Sequence, residues 1–164
     1  MSESPEDLKA GIVGGFDRAA KDWDTVIPFF ETFAQYRVDA AALRQGQRVL
    51  DVASGRRACL RVAAERVGPT GYVLGVDLSR TMIDLARQDL ADFDGPAGSV
   101  EVRVGDSEHL DLADDSFDVV LCGFGVFFFP DPSAALSECR RVLRNDGRFV
   151  ASICRGWWRV LLDR

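Results

Sequence analysis

Histidine and paired cysteine are what this sequence has least of. It holds a single histidine, His109, and its four cysteines (Cys59, Cys122, Cys139 and Cys154) are scattered with no C-x-x-C pair. Zinc centres and disulfide frameworks need such clusters, so neither is expected and buried thiols are. One histidine and no G-x-S-x-G turn exclude a Ser-His-Asp machinery. The absence of a glycine-rich loop ending in Gly-Lys-Ser/Thr excludes a phosphate loop of the NTPase kind. No apolar run approaches the roughly 20 residues that cross a bilayer. Residues 1–9 carry Glu3, Glu6 and Asp7 in place of the basic-then-apolar order of a secretion signal, so a cytoplasmic location is expected. Positive charge is also scarce: 20 Lys and Arg against 26 Asp and Glu leave a net charge of −6, and the arginines are interspersed with acids. Phosphate backbones are held by clustered cations, so a small-molecule partner is expected and a nucleic acid is not.

What is present is the make-up of one soluble domain, 164 residues of which 47% are hydrophobic and 28% charged. It is organised around residues 48–77, R-V-L-D-V-A-S-G-R-R-A-C-L-R-V-A-A-E-R-V-G-P-T-G-Y-V-L-G-V-D. A β-branched run (Val49, Leu50, Val52) enters a turn of small residues, a helical segment follows, and a second apolar run ends on Asp77. This is the outline of a βαβ unit whose first turn faces a ligand. Small residues at Ala53 and Gly55 let backbone N–H groups approach a polar group. Asp77, at the end of the second strand, is placed to accept from both hydroxyls of a ribose, because a carboxylate is a bidentate acceptor. An adenosine-containing cofactor is therefore expected.

Residues 4–44 read as helical and outside the sheet. Gly14 and Gly15 are expected to break this segment, and a second helix to start at Asp24 or Thr25 with Pro28 in its first turn. The aromatics of this region (Phe16, Trp23, Phe29, Phe30, Phe33, Tyr36) suit either a helix on the edge of the core or a lid over the ligand. Strands are expected at 48–53, 72–77, 100–104, 117–122 and 148–153. Helices are expected at 57–67, from a cap at Ser79 to Leu90, and from the Asp131-Pro132 cap to Leu143. Residues 92–99 read as a loop and Asn145-Asp146-Gly147 as a turn. Alternating Val100, Val102 and Val104 suggest an edge strand, while the wholly apolar run from Phe117 suggests a central one. This alternation of strand and helix gives a doubly wound parallel α/β sheet, with its ligand crevice at the carboxyl ends of the first and fourth strands. Asp51, Asp77 and Asp106 then share one rim, where they serve either a ligand or their own turns and caps. Phe124, Phe127, Phe128 and Phe129 suit an apolar acceptor wall, with core packing as the other reading of the last two. His109 reads as a surface turn residue rather than a base.

V-L-D-V-A-S-G (49–55), G-V-D-L-S (75–79), G-D-S-E-H-L (105–110), S-F-D-V-V-L-C-G-F-G (116–125) and R-V-L-R-N-D-G-R-F (141–149) occur in this order, after a helical lead-in F-D-R-A-A-K-D-W-D (16–24). The series resembles the class I S-adenosylmethionine-dependent methyltransferases, in particular the group of the ubiquinone and menaquinone biosynthesis C-methyltransferases. The resemblance implies a Rossmann-like sheet of strand order 3-2-1-4-5, with residues 1–44 as a helical segment or lid, 45–154 as the cofactor-binding core and 155–164 as a tail. It implies S-adenosylmethionine as cofactor and methyl transfer to a small-molecule acceptor. It places Asp51, Ala53 and Gly55 by the methionine part, Asp77 on the ribose and Leu78 on one adenine face. Asp106 and Ser107 would meet the adenine amino group, and Cys122 to Phe124 would border the methyl donor. Two departures stand out. Gly55 is followed by Arg56-Arg57 where the family continues Thr-Gly, and the sequence stops where the family adds two more strands. Both places are rich in Arg and carry a Cys, the pattern of an out-of-frame reading in a GC-rich gene. The fifth strand is then expected to be an open edge, and Trp157, Trp158, Val160, Leu161 and Leu162 of the tail are expected to cover it, to form a partner-binding stripe as in a homodimer, or to leave an aggregation-prone surface. A degenerate, non-catalytic protein of the same fold and an NAD(P)-dependent oxidoreductase are the rival readings. Ala53-x-Gly55-x-x-Ala58 partly mimics the dinucleotide fingerprint but lacks its first glycine.

Overall fold

A computed structural model describes residues 4–23, 30–93, 95 and 100–153. The elements in order are α1 (Pro5–Ala19), α2 (Phe30–Ala41), β1 (Arg48–Val52), α3 (Ala58–Val67), β2 (Tyr72–Asp77), α4 (Arg80–Ala91), β3 (Val100–Val104), β4 (Phe117–Gly123), a single 3₁₀ turn (Val126–Phe128), α5 (Pro132–Val142) and β5 (Leu143–Ser152). The five strands form one sheet in the order β3-β2-β1-β4-β5. Every pairing is parallel. Both the fold class and the strand order expected from the sequence are observed.

Alternation along the central strands divides the core into two layers. Val49, Val73, Val119 and Leu121 face α2 and α3, meeting Ala34, Val38, Leu60, Ala63 and Val67. Leu50, Val52, Leu74, Val76, Val120 and Cys122 face the other way, toward Cys139 and Val142 of α5. Strands buried on both faces are largely apolar, and β1, β2 and β4 are so, with Asp51 and Asp118 as the charged positions inside them. β3 is more exposed and alternating, as befits an outer strand. Helix starts follow local chemistry: Ser79 Oγ accepts the Met82 N–H at 3.0 Å, and the Asp131 carboxylate accepts the Ala134 N–H at 3.0 Å ahead of Pro132.

Two expectations are corrected. α1 runs without interruption through Gly14 and Gly15. A glycine inside a helix lowers its stability without breaking it, and here a capping box of Ser4 and Asp7 and a first-turn proline support the start. Asn145-Asp146-Gly147 does not separate a helix from a strand but lies within β5. The pairing steps from Phe117↔Leu143 to Val119↔Arg148, so the three residues form a bulge. Gly147 is needed there, because a Cβ would come within 2.9 Å of the Arg144 carbonyl oxygen. The expected start of the second helix at Asp24 or Thr25, most of the 92–99 loop, Cys154 and the tail lie outside the described residues.

Candidate functional site

The carboxyl ends of β3, β2, β1 and β4 open into a cavity of about 360 Å³, roofed by α1. Parallel strands without strand-to-strand hairpins leave their ends to loops, so such a crevice is where ligands bind in this architecture. Asp51, Ala53, Gly55, Asp77, Leu78, Asp106 and Ser107 all line it. Cys122, the remaining residue singled out from the sequence, is not among the lining residues: it is fully buried in the layer facing α5, and its thiol lies beneath Gly125. His109 is exposed in the turn after β3, its N–H donating to Asp106 O at 3.0 Å.

The loop after β1 is shaped by close approach. Ala53 has φ 51° and Gly55 has φ 59°, so the chain folds back on itself over the strand ends. Asp77 fastens the loop, accepting the Gly55 N–H on Oδ2 at 2.8 Å and the Ser79 N–H on Oδ1 at 2.9 Å. Burial pushes the Asp77 carboxyl above its ordinary range, and these two hydrogen bonds pull against that. The neighbouring arginines do not fill the hollow. Arg56 forms a fork with Asp89 on α4, including Nη2 to Oδ1 at 3.1 Å, and Arg57 Nη1 lies 3.8 Å from the same carboxylate.

Residues outside the expected set complete the polar half, Arg37, Ser54 and Lys9 among them. Arg37 of α2, 7% exposed, donates to Ser152 Oγ at 3.0 Å. Asp51 is 2% exposed, and burial raises its pKa to about 7, with Arg37 lowering it and Asp77 raising it. Arg37 Nε, Asp51 Oδ1 and Ser54 Oγ are buried with no hydrogen-bond partner, although all three residues line the cavity. Buried polar groups are nearly always paired in folded proteins, so orphans gathered at one end of a cavity mark a place for a polar ligand. On α1, Lys9 Nζ lies 2.6 Å from Asp106 Oδ2 and 2.6 Å from Glu108 Oε2, and Asp17 accepts a hydrogen bond from Ser79 Oγ. The sequence did contain signals for these. Arg37 interrupts the buried stripe of Ala34, Val38 and Ala41, and Lys9 heads the stripe of Ile12, Val13 and Phe16.

Over β4 the lining changes character. Phe16, Trp23, Phe30, Phe124, Phe127 and Phe128 border this half. Phe124 adopts φ 58°, an uncommon conformation for a bulky side chain. Among the described residues, no group of histidine, cysteine and carboxylate side chains could hold a metal ion.

Sheet order, crevice position and a polar half with an acid at or just beyond each of three neighbouring strand ends define a doubly wound α/β protein with an open, acid-lined crevice at the carboxyl ends of its strands. A family model described as a methyltransferase domain matches residues 50–151, and the chain belongs to that family. It is 40% identical over 134 residues to nocamycin O-methyltransferase of Saccharothrix syringae, covering 81% of this chain and 47% of that protein. It is 31% identical over 151 residues to a ubiquinone/menaquinone biosynthesis C-methyltransferase of Psychromonas ingrahamii, covering 88% of this chain and 60% of that protein. A crystal structure of a SAM-dependent methyltransferase from Aquifex aeolicus superposes with a TM-score of 0.71 at 20% identity, over 92% of this chain and 72% of that one, which is a likeness of fold. The chain spans roughly half the length of the curated relatives it matches.

Proposed function

We propose that the protein transfers a methyl group from S-adenosylmethionine to a small-molecule acceptor. The observation that carries this reading is the set of buried, unpartnered atoms on Arg37, Asp51 and Ser54 beside the Asp77 carboxylate. The amino-acid tail of that cofactor carries an ammonium and a carboxylate, the charges complementary to Asp51 and Arg37, so the residues present fit it. Asp77 keeps a second lone pair on each oxygen for the ribose hydroxyls while holding the Gly55 and Ser79 N–H groups. Leu78 offers an apolar face to the adenine, and Asp106 and Ser107 face its amino edge. Ala53 and Gly55 leave backbone close to the methionine part. Cys122 acts from behind, filling the space under the β4 end.

When bound, the cofactor supplies an electrophilic methyl on a positively charged sulfur. The chain's own part is binding, orientation and exclusion of water, and alignment alone is a large share of what such a displacement needs. Asp51, Asp77 and Asp106 make the cavity hospitable to positive charge. α1 serves as the lid, closing the polar half through Lys9 and Asp17.

Calorimetric titration of the 164-residue chain tests this. Heat with S-adenosylmethionine or its demethylated product, and none with NAD or NADP, is the expected result. Heat with a dinucleotide alone, or silence with all of them, overturns it.

A further inference from the structure

β3 is the outer strand on the side of the sheet away from β5, and among the described residues no strand pairs with its outer edge. The Gly105 N–H, one residue past the strand, donates to Asp77 O of β2. Backbone groups of successive residues turn to opposite sides of a strand, so Val104, Val102 and Val100 direct their N–H and C=O outward. Val102 O accepts from Arg87 Nη2 at 3.4 Å, a long contact from a guanidinium already paired with Asp84 at 2.7 Å. An open, regular edge is a template for a further strand, and proteins blunt such edges with proline, bulges or charges. In V-E-V-R-V only the charges are present, one of each sign.

Those two charges make the strand complementary to itself. An antiparallel copy centred on Val102 sets Val102 opposite Val102, Val100 opposite Val104 and Glu101 opposite Arg103. The outward-turned valines then exchange backbone hydrogen bonds, and Glu101 and Arg103 fall at the positions between them, where facing side chains stand closest. Within the chain these two lie on one face, each half exposed, with Arg103 Nη2 2.8 Å from Glu101 Oε2. The pairing completes a square of alternating charge. Moving its centre to Glu101 or to Arg103 sets like charges opposite each other, so charge selects one register. On the other face Val100 and Val102 join the apolar layer with Leu90, and a shallow cleft of about 320 Å³ runs between α4 and the strand. The two-fold axis of such a pairing stands perpendicular to the sheet. It brings the two α4 helices side by side, with Leu90 and Ala91 at the shared cleft.

We propose that the β3 edge is an interface for a second copy of this chain, giving a two-fold symmetric dimer whose sheet runs on through both copies. A two-fold contact uses the same patch on each partner, so it closes at two chains and does not propagate into a fibre. The inference stands apart from the methyl-transfer reading, since Glu101 and Arg103 lie outside the cavity at the strand ends. Sedimentation velocity of the 164-residue chain from about 1 to 100 µM is expected to show a concentration-dependent dimer, as suits a small interface. Glu101→Arg and Arg103→Glu each set like charges at both facing pairs, and each is expected to weaken self-association by about tenfold or more. Mixed in equal amounts, the two variants place Arg opposite Glu at every pair, and the mixture is expected to recover the dimer. Should a single variant fail to fold by circular dichroism, Glu101→Arg combined with Arg103→Glu carries the test, because it is expected to pair with itself and to reject the parent chain. A parent chain that stays monomeric throughout overturns the inference. So does a dimer that the reversals leave intact, a mixture no more associated than its components, or a doubly exchanged chain that pairs with the parent as well as with itself.

Discussion

The backbone N–H of Gly55 donates to the Asp77 carboxylate at 2.8 Å, so the loop after β1 is fastened to the end of β2 by the residue assigned to the ribose. Asp77 is a scaffold residue, and in the proposed function it is a ligand group as well. Asp77→Ala removes two charge-assisted hydrogen bonds and is expected to destabilise the protein by about 2–4 kcal/mol. Asp77→Asn keeps one acceptor oxygen and is expected to cost less, about 1 kcal/mol, with S-adenosylhomocysteine affinity still falling by about tenfold or more. Thermal melts and calorimetry on the two variants check this, and an Asn variant with unchanged affinity removes Asp77 from the ligand.

Arg37 is assigned to one end of the ligand only, and that makes a sharper test. Arg37→Met leaves Asp51 without its cation, but the Asp51 carboxyl, already near neutrality, answers by holding its proton rather than by standing as a bare charge. Stability is expected to fall by about 1–3 kcal/mol, because Asp51 can take up a proton but Ser152 Oγ loses its donor. S-adenosylhomocysteine affinity is expected to fall by roughly a hundredfold, the worth of a charge-assisted pair. Methylthioadenosine lacks the amino-acid tail and is expected to bind both forms equally. Equal losses for the two ligands show that Arg37 only supports the fold.

Arg37 also shows where the sequence was legible and where it was not. The strands, helix starts and acid-tipped strand ends follow from local pattern, since β-branched runs, a Ser79 cap and an Asp131-Pro132 start are read within a few residues, while the strand order is what the family resemblance implied. The partners of the site are not local. Arg37 reaches Ser152 across 115 positions and Lys9 reaches Asp106 across 97, distances that no spacing rule spans. Gly14 and Gly15 misled because intrinsic propensity is a weak guide once a helix has a capped start and a surface to lie on. Asn145-Asp146-Gly147 has the chemistry of a turn and uses it, but β-pairing continues on both sides, which only the partner strand β4 decides.

Asp51 sets a pH dependence. Its carboxyl faces Arg37 from α2, Cys59 from α3, Asp77 from β2 and Cys122 from β4, and both thiols are pushed up to about 12 by burial, so they stay neutral. Because the folded pKa of about 7 lies above the unfolded value, the folded state holds the proton more tightly. Stability from this group is present at low pH and declines as pH rises from about 4 to about 7, by roughly 4 kcal/mol in total. Asp51→Asn has no such decline. Its advantage in melting temperature over the parent protein is expected to grow between these pH values and level off above. Cofactor binding runs the opposite way, since the ammonium of the ligand needs the charged carboxylate, and affinity is expected to weaken below pH 7. A difference in melting temperature that is flat with pH contradicts the assignment.

α1 combines a weak helix with strong ends. Gly11 and Gly15 have open space where a Cβ would stand, so neither packing nor backbone geometry requires glycine there. Each costs the helix roughly 0.5–1 kcal/mol relative to alanine. Holding the helix down are Lys9 on Asp106 and Glu108, and Asp17 on Ser79. Burial works against the Lys9 charge, but its hydrogen bonds to the two acids outweigh this and raise its pKa, so the latch stays charged through neutral pH. Glu108 is 5% exposed, and Lys9→Met leaves it without its cation, at a cost of about 1–3 kcal/mol that falls on closure of the lid. Hydrogen exchange is expected to accelerate across α1 in this variant while β1, β2 and β4 keep their protection, and bound S-adenosylhomocysteine is expected to dissociate faster. Gly11→Ala with Gly15→Ala is expected to do the reverse, slowing both exchange in α1 and ligand release. If the alanine pair stiffens the helix and leaves the release rate untouched, the ligand does not pass beneath α1, and the gate lies elsewhere on the rim.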